Sequence, residues 1–279
     1  MFNQRMINQH SLAALGLGVW LLGGFNARAG DAVFPVVGPQ PLVDGGSSLL
    51  DALAPLCGST LASSADAPGT ARFEMVSCDL VMDFDRGVLH IDTLISRTWS
   101  YSPPSAKDVA DRQLADLALL ESIGFDVTEF GWVQTRQFAG QDRDDASGTV
   151  GAVRHMGTKT IIDRAILGVP VLGGRVVVTR DAAGSVARIT AAWPTLATDI
   201  EVEVSRTADM TDDEAGSFTS SPVLGIQQVL VLGEPVDGGV RSARVCTEVT
   251  RLATSGDGET KPSAFYVMDG MLFVPTEDW

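Results

Sequence analysis

Between residues 72 and 98, apolar and polar side chains alternate with the period of two that is typical of strands with one buried face. Two strands are predicted, Arg72 to Phe84 and Val88 to Thr98, and the second alternates more regularly. Asp85-Arg86-Gly87 lies between them, with glycine where a hairpin turn needs a positive φ. This stretch therefore predicts a β-hairpin.

The apolar period lengthens to three or four residues after the hairpin. Ser105 is a good helix N-cap, with Asp108 at the third helical position. Apolar residues then recur on one face as far as Ile123, and Gly124 follows as a left-handed C-terminal residue. The spacing predicts one main helix near 105–123.

A period of two returns after Phe125 and continues almost to the end of the chain. The expected fold class is α+β: a predominantly antiparallel sheet, or sheets, with the one main helix packed against it. The strands predicted in this part are Val127–Phe138, Val150–Met156, Thr158–Ile166, Arg175–Thr179, Ser185–Ala191, Ile200–Ser205, Val223–Leu232, Gly239–Leu252 and Phe265–Val274.

The first 29 residues have the layout of a secretory signal peptide. Arg5 lies in a short polar start, and Ser11–Phe25 is an apolar run shorter than the roughly 20 residues of a membrane-spanning helix. Ala27-Arg28-Ala29 supplies the small-x-small pattern of a cleavage site. We therefore predict cleavage before Gly30, a mature protein in the periplasm or medium, and no membrane span after cleavage. An uncleaved membrane anchor is the alternative.

Composition divides the rest of the chain into three parts. Residues 30–70 are predicted to form an extended arm, a short helix and a linker. Residues 71–194 are predicted to form the α+β domain. Residues 195–279 are expected to be a β-rich C-terminal part, either continuous with the same sheet or separate from it, with Pro194–Thr198 as the boundary.

Charge and cysteine content narrow the classes of partner and compartment. A net charge of −15 repels nucleic acids and anionic membrane surfaces, so neither is expected as a partner. The cysteines are Cys57, Cys78 and Cys246. In an oxidising compartment, Cys57 and Cys78 are the nearer pair for a disulfide, whereas three buried thiols are the alternative.

The most distinctive segment is Gly168 to Trp193, which contains the sequence GVPVLGG followed by a β-rich run and the turn Asp181-Ala182-Ala183-Gly184. It resembles the fungalysin/thermolysin propeptide (FTP) module and, more loosely, the PepSY domain. Those modules carry a Gly-Ile/Val-Pro-Val-x-Gly box before an Asp-x-x-Gly hairpin. The resemblance implies a fold that is PepSY/cystatin-like in part, in an extracytoplasmic module that inhibits, chaperones or regulates a protease. Leu172 departs from the family's usual aromatic residue, and no H-E-x-x-H motif of a thermolysin-like protease follows.

The same segment supplies the candidate binding residues. Proline cannot donate a hydrogen bond to a strand ladder, so the box is expected at an edge of the sheet or at a bulge. An open edge accepts an extended peptide as an additional strand. We therefore expect partner contacts through Val169, Pro170, Val171, Arg175 and Val177.

Catalytic chemistry has little support in the sequence, which contains no G-x-S-x-G elbow, phosphate-binding loop or dinucleotide-binding loop. No catalytic residue, cofactor or metal ligand is predicted. His90 and His155 lie in strand-like segments. The acidic stretches Asp142–Asp145 and Asp209–Glu214 are expected to be solvated rather than to bind metal.

The leading interpretation is an exported, non-catalytic module that binds a secreted protease or another extracellular protein. One alternative is an envelope or surface protein that binds a glycan or a cation. Another is a hydrolase that uses Asp83 or Asp85 with His90. The aromatic residues that we expect mainly in the core or on a sheet face are Trp99, Tyr101, Trp132, Phe138 and Trp193.

Overall fold

The computed structural model describes residues 47–67, 69–83, 86–143, 149–196, 210–219, 221–235, 240–254, 260–268 and 271–273. All of these belong to one compact unit of the chain. The predicted signal peptide, its cleavage site, the arm at 30–46, Asp85 and the predicted strand at 200–205 lie outside the described residues. No helix within the described ranges is long and apolar enough to cross a membrane.

The described residues contain three α-helices and thirteen strands. The helices are α1 (Ser47–Cys57), α2 (Ala106–Ser122) and α3 (Asp212–Gly216), and Val127–Glu129 is a short 3-10 helix. The strands are β1 (Thr60–Ala67), β2 (Thr70–Met75), β3 (Cys78–Asp83), β4 (Val88–Thr93), β5 (Phe130–Arg143), β6 (Val150–Ile166), β7 (Val169–Asp181), β8 (Val186–Ala192), β9 (Thr195–Leu196), β10 (Val223–Pro235), β11 (Val240–Thr254), β12 (Thr260–Met268) and β13 (Met271–Phe273).

The predicted α+β class is wrong, because the protein is mostly β. Strands account for 61% of the described residues and helices for 19%. The thirteen strands form one mixed sheet, in which β10 runs parallel to β7 and β11 runs parallel to β9. Local periodicity predicts strands but not which strands pair, so these parallel contacts between distant segments leave no pattern in the sequence.

Among the described elements, a helix followed by four antiparallel strands occurs three times, with the short strand β9 outside this repeat. Helix α1 precedes β1 to β4, α2 precedes β5 to β8, and α3 precedes β10 to β13. Within each repeat every strand pairs with the next strand. The first two repeats join where β4 pairs with β8, and the third joins where Leu230 of β10 lies opposite Val171 of β7.

The two longer helices cover one face of the eight-stranded sheet formed by β1 to β8. Leu53 of α1 and Leu120 of α2 belong to the same buried cluster as Leu80, Ile91 and Ile189 of the sheet. Because side chains alternate between the faces of a strand, the residues beside these apolar positions point to the opposite side. Because none of the described helices packs on that opposite side of β1 to β8, we call it the helix-free face.

Helix α2 lies where the sequence predicts a helix. The Asp108 N–H donates to Ser105 Oγ at 3.1 Å, and the Ser105 N–H donates to Asp108 Oδ2 at 2.9 Å. Asp116, in the middle of the helix, is buried and forms an ion pair with Arg180 of β7, with Nε 2.6 Å from Oδ1. Burial raises the pKa of Asp116, although hydrogen bonds from Thr160 and Arg180 oppose the shift.

A disulfide joins Cys57, the last residue of α1, to Cys78, the first residue of β3. This is the pair that the sequence favours. Cys246 is buried in β11, outside this disulfide. The bond therefore attaches the first helix to the sheet on which it packs.

Candidate binding surface

The predicted binding segment does not form an open edge of the sheet. Strand β7 is paired with β6 on one side and with β8 and β10 on the other. Pro170 lies opposite Ala165, next to the register shift between Asp163 and Ala165 of β6. A bulge is one of the few places where a paired strand accommodates proline. The predicted edge is therefore wrong, whereas the bulge, the other expectation, accounts for Pro170.

The five predicted contact residues also do not share one surface. Val171 is buried in a cluster with Leu230, and Val169 packs against that cluster, beside the half-buried Pro170. Arg175 is exposed and Val177 is half-buried, and both lie on the helix-free face. The Arg175 guanidinium Nε donates to Asp163 Oδ1 at 2.6 Å. Only the second half of the segment is thus placed to contact a partner.

The residues considered for a hydrolase do not converge as that chemistry requires. The His90 ring Nε2 lies 2.7 Å from Asp92 Oδ2, and Asp92 Oδ1 accepts a hydrogen bond from Arg188 Nε at 2.7 Å. Asp83 lies opposite Val88 rather than His90, and its carboxylate accepts the backbone N–H of Arg86 at 3.0 Å. Within the described residues, no group of three or more His, Cys, Asp or Glu side chains could hold a metal ion.

An exposed cluster of two aromatic side chains and one arginine lies beside the β5–β6 hairpin. The ring centroids of Trp99 and Tyr101 are 4.9 Å apart in an edge-to-face arrangement. The Arg154 guanidinium carbon lies 4.8 Å from the centroid of the Trp99 ring. The exposed fractions of Trp99 and Tyr101 are 46% and 61%. We call these three residues the aromatic–arginine cluster.

Backbone hydrogen bonds hold this cluster in place. Ser100, between the two aromatic residues, forms an isolated bridge with His155 of β6. The Ser100 N–H donates to the His155 carbonyl at 3.0 Å, and the His155 N–H donates to the Ser100 carbonyl at 2.7 Å. Exchanging both hydrogen bonds fixes the direction of the segment that carries Trp99 and Tyr101.

The Asp-x-x-Gly turn of the FTP-like segment anchors the cluster from the other side. Asp181 Oδ2 accepts the N–H of Thr98 at 3.0 Å and its hydroxyl at 2.7 Å. The Thr98 hydroxyl oxygen accepts the N–H of Ala183 at 2.9 Å. Arg112 of α2 donates to the carbonyls of Asp181 and Ala182 at 3.3 and 2.8 Å. The turn, the helix and the aromatic segment therefore form one hydrogen-bonded unit.

The charge state of Asp181 follows from these contacts. Burial raises the pKa of Asp181, but hydrogen bonds from Thr98 and from backbone N–H groups of the turn outweigh it, so the pKa lies below its ordinary value. A carboxylate that stays ionised is a strong acceptor for the bonds that hold Thr98. The position of the aromatic–arginine cluster thus depends on this ionised side chain.

Sequence reasoning misses this cluster, because it places Trp99 and Tyr101 in the core or on a sheet face. Trp193 does meet that expectation: it is buried, with its ring centroid 5.4 Å from that of Phe125. The signal that distinguishes the two cases is Pro103-Pro104 shortly after Tyr101, which ends the strand pattern and marks a surface connection.

Comparisons with known proteins give likenesses to solved structures only. No protein-family model matches the chain, and no curated protein matches it. Among solved structures, the Bacillus megaterium YpeB C-terminal domain is similar, with 12% sequence identity over 88% of this chain and 96% of that chain, at a TM-score of 0.33. A likeness of this size does not establish a function.

Proposed function

We propose that the protein is an exported, non-catalytic module that binds another protein through the aromatic–arginine cluster. The observation that carries this proposal is the exposure of Trp99 and Tyr101 on a segment that hydrogen bonds hold in place at Thr98 and Ser100. Tryptophan, tyrosine and arginine are the residues most enriched among those that dominate the energy of protein interfaces. A segment that is already ordered loses little entropy on binding.

The proposed partner is a secreted protease or another extracellular protein. The FTP-like segment supports this choice, because its turn at Asp181 and Gly184 is the part that anchors the cluster. The Cys57–Cys78 disulfide supports a location in the periplasm or medium, since disulfides persist in oxidising compartments.

Glycan binding through the same aromatic residues is the second candidate, and the exposure of both rings favours it. A sugar ring stacks on a free aromatic face. The Arg154 guanidinium already lies over the Trp99 ring, and Tyr101 contacts that ring edge-on. This arrangement favours a protein partner over a glycan.

Co-purification from the extracellular fraction of the protein's own organism tests the proposal. The tagged mature chain is compared with the double variant Trp99→Ala/Tyr101→Ala. Trp132→Ala is the matched control, because Trp132 is 51% exposed on β5 and lies about 25 Å along the strands from the cluster. We expect a protein partner with the mature chain and the control, but not with the double variant.

Proteolytic assays on the recovered partner then show whether the module inhibits or stabilises it. Equal recovery by the double variant, with unchanged thermal unfolding, would remove the cluster from the binding site. If no protein is recovered, and the pure chain hydrolyses a generic ester, peptide or glycoside or binds glycans, the proposal as a whole fails.

A further inference from the structure

The helix-free face carries an ordered row of charged side chains across the sheet. Register places six charged residues and one threonine side by side on neighbouring strands, in the order β2, β3, β4, β8, β7, β6, β5. We call them the charged row. Its members are Glu74, Asp79, Asp92, Arg188, Thr179, Lys159 and Arg136.

Like charges lie directly opposite each other at both ends of this row. Glu74 faces Asp79, and Asp79 faces Asp92, whereas Lys159 faces Arg136. Like charges in directly opposed positions of neighbouring strands are destabilising. One half of the row is thus acidic and the other half basic, each unfavourable on its own.

The members of the row differ in how far the other described residues neutralise them. Asp92 is bound by Arg188, and Asp79 lies 3.9 Å from the Arg72 guanidinium. Within the residues that the structure describes, Glu74 and Lys159 form no salt bridge, and the Lys159 ammonium lies over the Phe138 ring at 5.3 Å. A partner with the opposite charge pattern would neutralise both ends at once.

We propose that the helix-free face packs on the same face of a second copy of the chain. A two-fold axis that runs along the strands, between β4 and β8, places β2 over β6 of the second copy and β4 over β8. Glu74 then meets Lys159 of the second copy, and Asp92 meets Arg188 of the second copy, each contact occurring twice. An axis across the strands would instead place acids on acids, so the charges select the first arrangement.

The face is also large enough for a stable dimer and includes apolar side chains. Eight strands spaced about 4.8 Å apart span roughly 38 Å, and six residues of strand add about 20 Å in the other direction. The contact would remove roughly 1,500 Å² in total, within the range of specific interfaces. Val81, Val177 and Ile161 lie half-buried in the row beside the charged row, where the second sheet would cover them.

Sedimentation equilibrium of the mature chain tests this dimer. We expect a dimer whose dissociation constant rises with salt. Glu74→Lys and Lys159→Glu, each alone, should weaken it by at least about tenfold, because each places like charges together across the interface. The double variant Glu74→Lys/Lys159→Glu should restore the dimer, since the pair then meets with its signs exchanged. Glu121→Lys and Lys107→Glu, exposed on α2, are the matched controls and should leave the dimer intact.

The charge reversals should not unfold the monomer. Glu74 lies opposite Asp79, and Lys159 lies opposite Arg136, so each pair carries like charges. Reversing the charge of Glu74 or of Lys159 turns its pair into one of opposite charges, so thermal stability should not fall. A loss of the dimer in a single variant can therefore be assigned to the interface.

Three outcomes would overturn the proposal. The first is a chain that stays monomeric at every concentration. The second is a dimer that both single reversals leave unchanged, and the third is one that the double variant does not restore. Trp99→Ala/Tyr101→Ala should dimerise normally, which keeps this test separate from that of the proposed function.

Discussion

Thr98 and Asp181 are joined by two hydrogen bonds although 83 residues separate them, at 3.0 Å from the Thr98 N–H and 2.7 Å from its hydroxyl. The contact attaches the connection between the first two repeats to the turn between β7 and β8. The residues that display the exposed aromatic rings are therefore fixed by the second repeat.

Thr98→Val should lower the free energy of unfolding by about 1–3 kcal/mol, because it removes the hydroxyl that donates to the ionised, part-buried carboxylate of Asp181. Urea denaturation measures the change. Thr250→Val, a half-buried strand position opposite Gly225 and Ala264, is the control and should change stability much less. Equal losses in the two variants would contradict a special role for Thr98.

The lowered pKa of Asp181 predicts how the free energy of unfolding changes with pH in acid solution. A carboxyl group with a lowered folded-state pKa stabilises the fold above its unfolded pKa of about 3.9, and this contribution is lost as the pH falls through the folded-state value. We expect the free energy of unfolding to fall below about pH 4. Asp181→Asn should be less stable at neutral pH and less dependent on pH below that point. If the free energy of unfolding of this variant falls with pH as it does in the parent chain, other carboxylates cause the loss of stability in acid.

Gly184→Val should destabilise the protein by about 1 kcal/mol or more, because Gly184 has a φ of 92° and a β-branched residue resists that conformation. Ala183→Val, one position earlier in the same turn, is the control. Thermal unfolding of both variants separates backbone strain from the effect of a larger side chain. If Val is tolerated equally at both positions, the hairpin does not require glycine.

The cysteines predict one linked peptide pair in a non-reducing digest, Cys57 with Cys78, and a reduced Cys246. The bond spans 21 positions of the chain, so its removal in Cys57→Ala/Cys78→Ala should cost about 3 kcal/mol in the chain-entropy description. A reductant should lower the unfolding temperature of the parent chain but not that of the double variant. A linkage that involves Cys246 would contradict the pairing.

Export with cleavage between Ala29 and Gly30 predicts a mature N-terminus of Gly-Asp-Ala-Val. N-terminal sequencing or the intact mass of protein recovered from the periplasm or medium measures it. Recovery of a chain that still begins at Met1 would contradict the proposed cleavage and, with it, the argument for a location in the periplasm or medium.

Local signals in the sequence predict the elements that depend on local contacts. The Ser105–Asp108 capping box and Gly124 place α2, and Gly184 places the β7–β8 turn, because each acts on residues next to it in the chain. Strand β1 is missed: Thr60–Ala67 lies where the composition predicts a linker. Residues 60–64 are all exposed, so this strand has no alternation to detect.

The wrong prediction of an open sheet edge at Pro170 has a different cause. Pro170 excludes one hydrogen bond of a ladder, and an open edge along the whole strand does not follow from that single loss. The bulge between Asp163 and Ala165 meets the restriction while leaving β7 paired on both sides. Likewise, the position of the segment that carries Trp99 and Tyr101 is set by contacts of Trp99 with Arg154 and of Ser100 with His155, which belong to another part of the chain.

The threefold succession of a helix and four strands also bears on how fast the chain can fold. Most strand pairs connect segments that follow each other directly, so each meander can form with short loops to close. Among the described strands, only the β4–β8, β7–β10 and β9–β11 pairs join distant segments. We therefore expect a lower contact order than in a sheet of the same size whose strands pair mainly across the chain, with the docking of the three meanders among the slow steps of folding.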